Sequence, residues 1–243
     1  MIDIINIGVN YIIEMVAAWQ YFRSFYSSKC SKQTECMFMV SAYVMMFCLF
    51  WLQIFWFNAV DFLIINCFLC FYLFSRRMSS SVFHALILTV AMVVTEVIIE
   101  LVCMRLLDGF LVFTQNSISY AIVSIGSRIF YFFVIRIIIV VFAPKKERLE
   151  AKSGFTVLLS VTPLISVWLT LVIVVFCINS RIDSMMGAML LASMAFLLGM
   201  NFVVFWAYDS NKKFMRNYLM MQSNLREQQA EAEYYRRLAE QTE

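Results

Sequence analysis

The sequence predicts an all-α, polytopic membrane protein of seven transmembrane helices, or six if the first does not cross, with a cytoplasmic C-terminal helix. Three observations predict it. Of 243 residues, 63% are apolar and 14% charged; a soluble domain carries about 25% charged residues to face water. Apolar segments recur at lengths near the ~20 residues that a bilayer crossing needs. The charges are segregated: twelve of the 35 fall between Asp209 and Glu243, six of each sign. These counts exclude an ordinary soluble enzyme, a disordered chain and a secreted disulfide scaffold. They divide the chain into a membrane body, 1–208, and a water-facing tail, 209–243.

The spans fall at about 4–24, 36–56, 58–75, 82–105, 117–142, 155–178 and 185–207. The start Met1-Ile2-Asp3 lacks a basic n-region, so the first apolar segment is expected to be retained. Between the second and third spans only Asp61 interrupts the apolar run. A 40-residue helix would overshoot a ~30 Å hydrocarbon core, which predicts a tight hairpin near Asn58. Asn58 would serve as its N-cap, with Trp51 and Trp56 at the interface.

Basic residues set the orientation. The segments 23–35, 75–81, 143–153 and the tail hold fifteen Lys and Arg, whereas the opposite loops hold only Arg105 and Arg181. Alternating in step with seven spans, that bias places the N-terminus outside and the tail in the cytoplasm.

Charged residues at membrane depth cost about 2.5–3.5 kcal/mol each on insertion scales, so they need partners or a task. They are Glu14, Glu96, Glu100, Arg128 and Arg136. The fourth span runs outward and the fifth inward, which puts Glu96 and Arg128 at matching heights and predicts their pairing. In the first span Asp3, Asn6, Asn10 and Glu14 form one polar stripe at helical spacing. Tyr120, Ser124, Ser127 and Tyr131 accompany Arg128 in the fifth. Facing inward, this set could line a ligand pocket or an ion path open to the outside; it could equally be inter-helix pairing that fixes packing. The candidate binding or polar-core residues are therefore Asn6, Asn10, Glu14, Glu96, Glu100 and Arg128.

No catalytic or metal constellation is readable. The only histidine, His84, reads as a polar anchor at an interface, and Cys67 and Cys70, one turn apart without a His or a second Cys pair, read as small apolar filler. Six glycines leave little for a phosphate-cradling loop. No metal, no cofactor and no nucleic-acid partner is expected. Pro163 interrupts the sixth span as a candidate hinge. Ala188, Ala192, Ala195 and Gly199 form a small-residue seam in the seventh, expected to serve packing within the chain rather than dimerisation.

The tail has no Gly or Pro. Tyr218, Met221, Leu225, Gln228, Ala232, Tyr235 and Ala239 recur at three-four spacing, the seam of a parallel dimeric helix continuing from the last span. Glu233 with Arg237 and Arg236 with Glu240 are spaced to pair. The pattern still runs at Glu243, which predicts a connector to a further segment.

The stretch Pro163-Leu164-Ile165-Ser166, the run Asn201-Phe202-Val203-Val204-Phe205 and the tail Gln228-Gln229-Ala230-Glu231-Ala232-Glu233-Tyr234-Tyr235-Arg236-Arg237-Leu238 resemble the membrane sensor domain of AgrC-type (GHKL) peptide-sensing histidine kinases. The resemblance implies a homodimeric receptor in a bacterial cell membrane. An extracellular peptide or small signal would be read through the last span and passed to a kinase domain or response regulator, a quorum-sensing or related two-component role. No His follows His84, so no phospho-acceptor can be assigned here, and the chain alone would not be a kinase. The competing expectation is a small transporter or permease subunit using the mid-membrane charges; a membrane peptidase lacks the His–Cys pair it would need.

Overall fold

The structure, a computed structural model, describes residues 2–50, 55–74, 77–106, 118–143, 153–179 and 184–242. Among these residues it is all helical. Seven α-helices follow in order: α1 (Ile2–Phe25), α2 (Lys32–Phe50), α3 (Phe55–Leu69), α4 (Met78–Leu106), α5 (Ile118–Phe142), α6 (Ser153–Asn179) and α7 (Ser184–Thr242). A π-helical turn, Cys70–Phe74, extends α3. Segments Lys32–Phe50, Met78–Cys103, Ala121–Phe142, Leu158–Val175 and Met185–Arg237 are long and apolar enough to cross a membrane, and Asn58–Phe74 is apolar but shorter. The 24 residues of α1 rise about 36 Å, enough to span, but they carry the polar stripe that lowers their hydropathy.

α3 begins earlier than the sequence suggests. Asn58 is already inside α3 and is no N-cap, because the apolar residues before it join the helix. The interfacial role expected of Trp51 and the side chain of Trp56 lie outside the described residues. So do the basic loop Lys145, Lys146, Arg148 and Lys152, the loop residue Arg181, Arg76, and the side chains of Asp3, Arg105 and Tyr120.

α4 is the axis of the bundle. Two thirds of its apolar window is buried (67%), against 22–28% for the other four long apolar segments. Its small and β-branched residues, among them Ala85, Val90, Ala91 and Val94, let neighbours approach closely from several sides. α1 and α5 run in the same direction, as the pairs Asn10–Ser124 and Glu14–Arg128 require, and α4 runs against them, since Glu14 and Glu96 meet on Arg128 while Tyr26 meets Ser80.

One end of the bundle is sealed by aromatic rings. Phe25, Phe83, Phe205 and Tyr208 pack around His84, whose ring is 1% exposed. The Tyr21 hydroxyl lies 2.7 Å from His84 Nδ1. His84 is therefore a core histidine, not the interface anchor its position suggested: an imidazole with a hydrogen-bond partner is tolerated among rings that exclude water. Beside it the hydroxyls of Tyr26, Ser80 and Tyr208 form a chain, 2.6 and 3.1 Å per link, joining the end of α1 to the start of α4 and the middle of α7.

The α7 seam lies on the outside. Ala192, Ala195 and Gly199 are exposed, and nothing lies within 4 Å of where a Gly199 Cβ would stand. Intramolecular packing instead uses Met194, Leu197 and Leu198 on the opposite face. The larger side chains fill the groove beside α4 and α6, and the small residues are left over. Beyond Asp209 the tail continues as one exposed helix, with Arg237 and Glu233 paired at 2.6 Å.

Candidate polar cavity

The stripe on α1 is buried, not lipid-facing. Asn6, Asn10 and Glu14 are 4%, 8% and 3% exposed, since residues four apart share one helix face and that face meets α4 and α5. Asn10 Nδ2 donates to Ser124 Oγ at 2.6 Å. One turn further along both helices, Arg128 Nε stands 2.6 Å from Glu14 Oε1 as an ion contact, without the alignment of a hydrogen bond. Arg128 Nη1 donates to Glu96 Oε2 at 3.0 Å.

Arg128 thus bridges two carboxylates from two different helices. At membrane depth such a cluster holds together because each charge has a counter-charge; taking one away leaves the others in a medium that cannot solvate them. The guanidinium fork suits this role because its planar N–H groups point to more than one acceptor at once.

A cavity of about 160 Å³ opens beside the cluster. Asn6, Asn10, Glu14, Glu96, Glu100 and Arg128 all line it, so the six sequence-derived polar residues converge on one space. Ser124 lines it too, whereas Ser127 turns back to donate to Ser124 O at 2.7 Å and Tyr131 is buried in the core. Arg136 lies on the exposed face of α5 and takes no part.

The sequence reading missed Tyr11, Asn58, Leu171 and Val174 on the cavity wall. Tyr11 is adjacent to the polar stripe and could have been flagged; Leu171 and Val174 carry no signal beyond apolarity. It also missed a second buried acid. Glu35 is 0% exposed at the start of α2, where Trp19 Nε1 donates to its Oε1 and Arg23 Nε lies 3.4 Å from the same oxygen. Arg23 in turn sits over the Trp19 ring, 5.5 Å from its centroid.

α6 connects the cavity to α7. Leu171 and Val174 face the cavity, while one turn before them Ser166 Oγ accepts from Asn201 Nδ2 of α7 at 2.8 Å. Ser166 donates to Thr162 O at 3.0 Å, beside Pro163, through which α6 continues as helix.

Among the described residues no group of three His, Cys, Asp or Glu is placed to hold a metal ion, and Cys67 and Cys70 are buried and form no disulfide. Of the tail seam, Tyr218, Met221, Leu225, Gln228, Ala232 and Tyr235 are exposed on the single chain; the Ala239 side chain lies outside the described residues. Comparison with protein-family models, with curated proteins and with solved structures finds no match.

Proposed function

We propose that this chain is the membrane receptor module of a two-component sensor of the AgrC-like, peptide-sensing kind, and that it acts as a parallel homodimer. The cavity would bind an extracellular peptide or small signal and the tail would deliver the response. The observation that carries this reading is α7: a single helix of 59 residues, Ser184–Thr242, begins within the bundle and ends as an exposed rod. A continuous helix transmits rotation or sliding along its length, and a ligand that prefers one packing of the bundle shifts the population of both ends together.

The outward face of α7 supports the dimer. At 100° per residue, Ala192, Gly199, Val203, Phe214, Met221 and Leu225 fall within about a quarter turn of one another. In the membrane half that face is small-residue and apolar, suited to close helix contact. It stays apolar where the tail leaves the bundle: Phe214, Met221 and Leu225 are exposed, which is costly in water without a partner.

Seven crossings with the N-terminus outside complete the proposal. In its support, the end of α1, the start of α4 and the middle of α7 meet at the Tyr26–Ser80–Tyr208 end of the bundle, and Arg23, Arg77 and the tail lie in the adjoining sequence. Three of the basic stretches, those of Arg23, Arg77 and the tail, thus adjoin one end of the bundle, as the positive-inside bias asks.

Disulfide cross-linking tests the reading. Single cysteines are introduced at successive positions from Asn217 to Gln228 in the full chain, with native cysteines replaced, in membranes. Cross-linking should peak at Tyr218, Met221, Leu225 and Gln228, and the pattern should shift when Glu14→Gln and Glu96→Gln are combined. A flat profile rejects the dimer. A profile indifferent to the cavity rejects signalling through α7 and returns the charges to packing or transport.

A further inference from the structure

We infer that the cavity is built for a cationic ligand group, a primary ammonium carried on an apolar body, and not for a carboxylate or a metal ion. The inference rests on the cavity being a ligand site, and it adds the chemistry of what enters.

The acidic side chains lining the space outnumber the basic ones. Glu14, Glu96 and Glu100 contribute three carboxyl groups, and Arg128 is the single basic side chain among the described lining residues. Arg128 is committed to Glu14 at 2.6 Å and to Glu96 at 3.0 Å. Glu100, one turn beyond Glu96 on α4, lines the same cavity and takes part in none of the ion pairs or hydrogen bonds among the described residues. An entering anion would meet three acidic side chains and a guanidinium already occupied. An entering cation would find an acid, Glu100, that no ion pair yet holds.

A second, independent observation points the same way. Asn6 Oδ1 and Asn10 Oδ1 are buried acceptors with no hydrogen-bond partner, on side chains only 4% and 8% exposed that line the cavity. The Asn10 amide donates its Nδ2 to Ser124 Oγ, and in that arrangement its oxygen is left without a donor. Two orphaned acceptors and an unpaired acid call for a group with several N–H bonds and no acceptor, which describes an ammonium.

The acids do not converge as metal ligands: no group of three His, Cys, Asp or Glu stands together among the described residues. The rest of the wall is apolar, with Met46, Phe62, Met92, Leu171 and Val174, so the cation's body would be alkyl or aromatic. Such an ammonium can belong to a peptide, at its N-terminus or a lysine, or to a free amine.

The test uses the purified full chain in lipid nanodiscs and isothermal titration with hexylammonium, hexanoate and hexanol as probes. Hexylammonium should bind at least about tenfold more tightly than the other two, as expected for charge-assisted hydrogen bonds. Glu100→Gln should weaken it by about tenfold or more, and Asn6→Leu by severalfold, with helicity and monodispersity unchanged in both. A hydrophobic tripeptide amide with a free N-terminus, set against its acetylated form, separates the two sources; binding of either the free tripeptide or hexylammonium supports the inference. Hexanoate binding as tightly as hexylammonium overturns it, as does unchanged hexylammonium binding in both folded variants. Selective binding with no change in tail cross-linking would sink the receptor reading alone. A cross-linking response without cation selectivity would sink this inference alone.

Discussion

Asn201 of α7 spends both hydrogens of its side-chain amide between two helices, one on Ser166 Oγ of α6 and one on Leu197 O of its own helix, each at 2.8 Å. Its Oδ1 is buried and without a partner. Removing the whole amide as Asn201→Leu therefore removes an unsatisfied oxygen together with two hydrogen bonds. The net cost should stay below about 1 kcal/mol. Ser166→Ala leaves the amide in place and takes away one of its acceptors, which should cost more, about 1–2 kcal/mol. Reversible unfolding in mixed detergent micelles measures both. The reverse order would show that the α6–α7 contact is held by shape alone.

Arg128→Gln leaves Glu14 and Glu96 facing one another in a space with no other basic side chain among the described residues. The loss should be about 3–5 kcal/mol, the range for stripping a buried ion cluster of one partner. Adding Glu14→Gln and Glu96→Gln to Arg128→Gln should restore most of it, since a neutral amide cluster has no charge to solvate. If the triple variant is no better than the single one, packing volume and not charge sets the stability of this region.

Glu35 closes the α1–α2 corner through its Oε1, held by Trp19 Nε1 and approached by Arg23. Glu35→Ala should destabilise by about 1–3 kcal/mol, because the indole N–H and part of the guanidinium lose their acceptor. Glu35→Gln keeps an acceptor for Trp19 and should cost roughly half as much. The unfolding midpoint orders the two variants, and Glu35→Gln as damaging as Glu35→Ala would place the weight on Arg23 instead of Trp19.

The sequence carries depth better than direction. Glu96 and Arg128 could be matched because the travel of each span fixes height, and height needs only counting. The convergence of Asn6, Asn10 and Glu14 with them was half legible: four-residue spacing puts them on one face, but which helix that face meets depends on how the bundle closes. Leu171 and Val174 were illegible, since an apolar residue on a cavity wall and one in lipid look alike in sequence. The same blindness misassigned the Ala192–Gly199 seam, which faces outward. His84 and Glu35 were misread or overlooked for a related reason: polar residues near span ends look solvated until rings or a second helix cover them.

Orientation has a direct chemical test in Cys30, an exposed thiol between α1 and α2. It lies in the segment whose Arg23, Lys29 and Lys32 are among the basic residues assigned to the cytoplasmic side. A chain retaining Cys30 alone, with the other six cysteines replaced by alanine, should react with a membrane-impermeant maleimide in inverted vesicles and be protected in intact cells. Cys103, near the opposite end of α4, should behave in the reverse sense when it alone is kept, with slower reaction because it is only partly exposed. If Cys30 is labelled from outside, the tail emerges from the membrane on the outer face as well, because α1, α4 and α7 share that end of the bundle. A cytoplasmic partner could then no longer receive the signal.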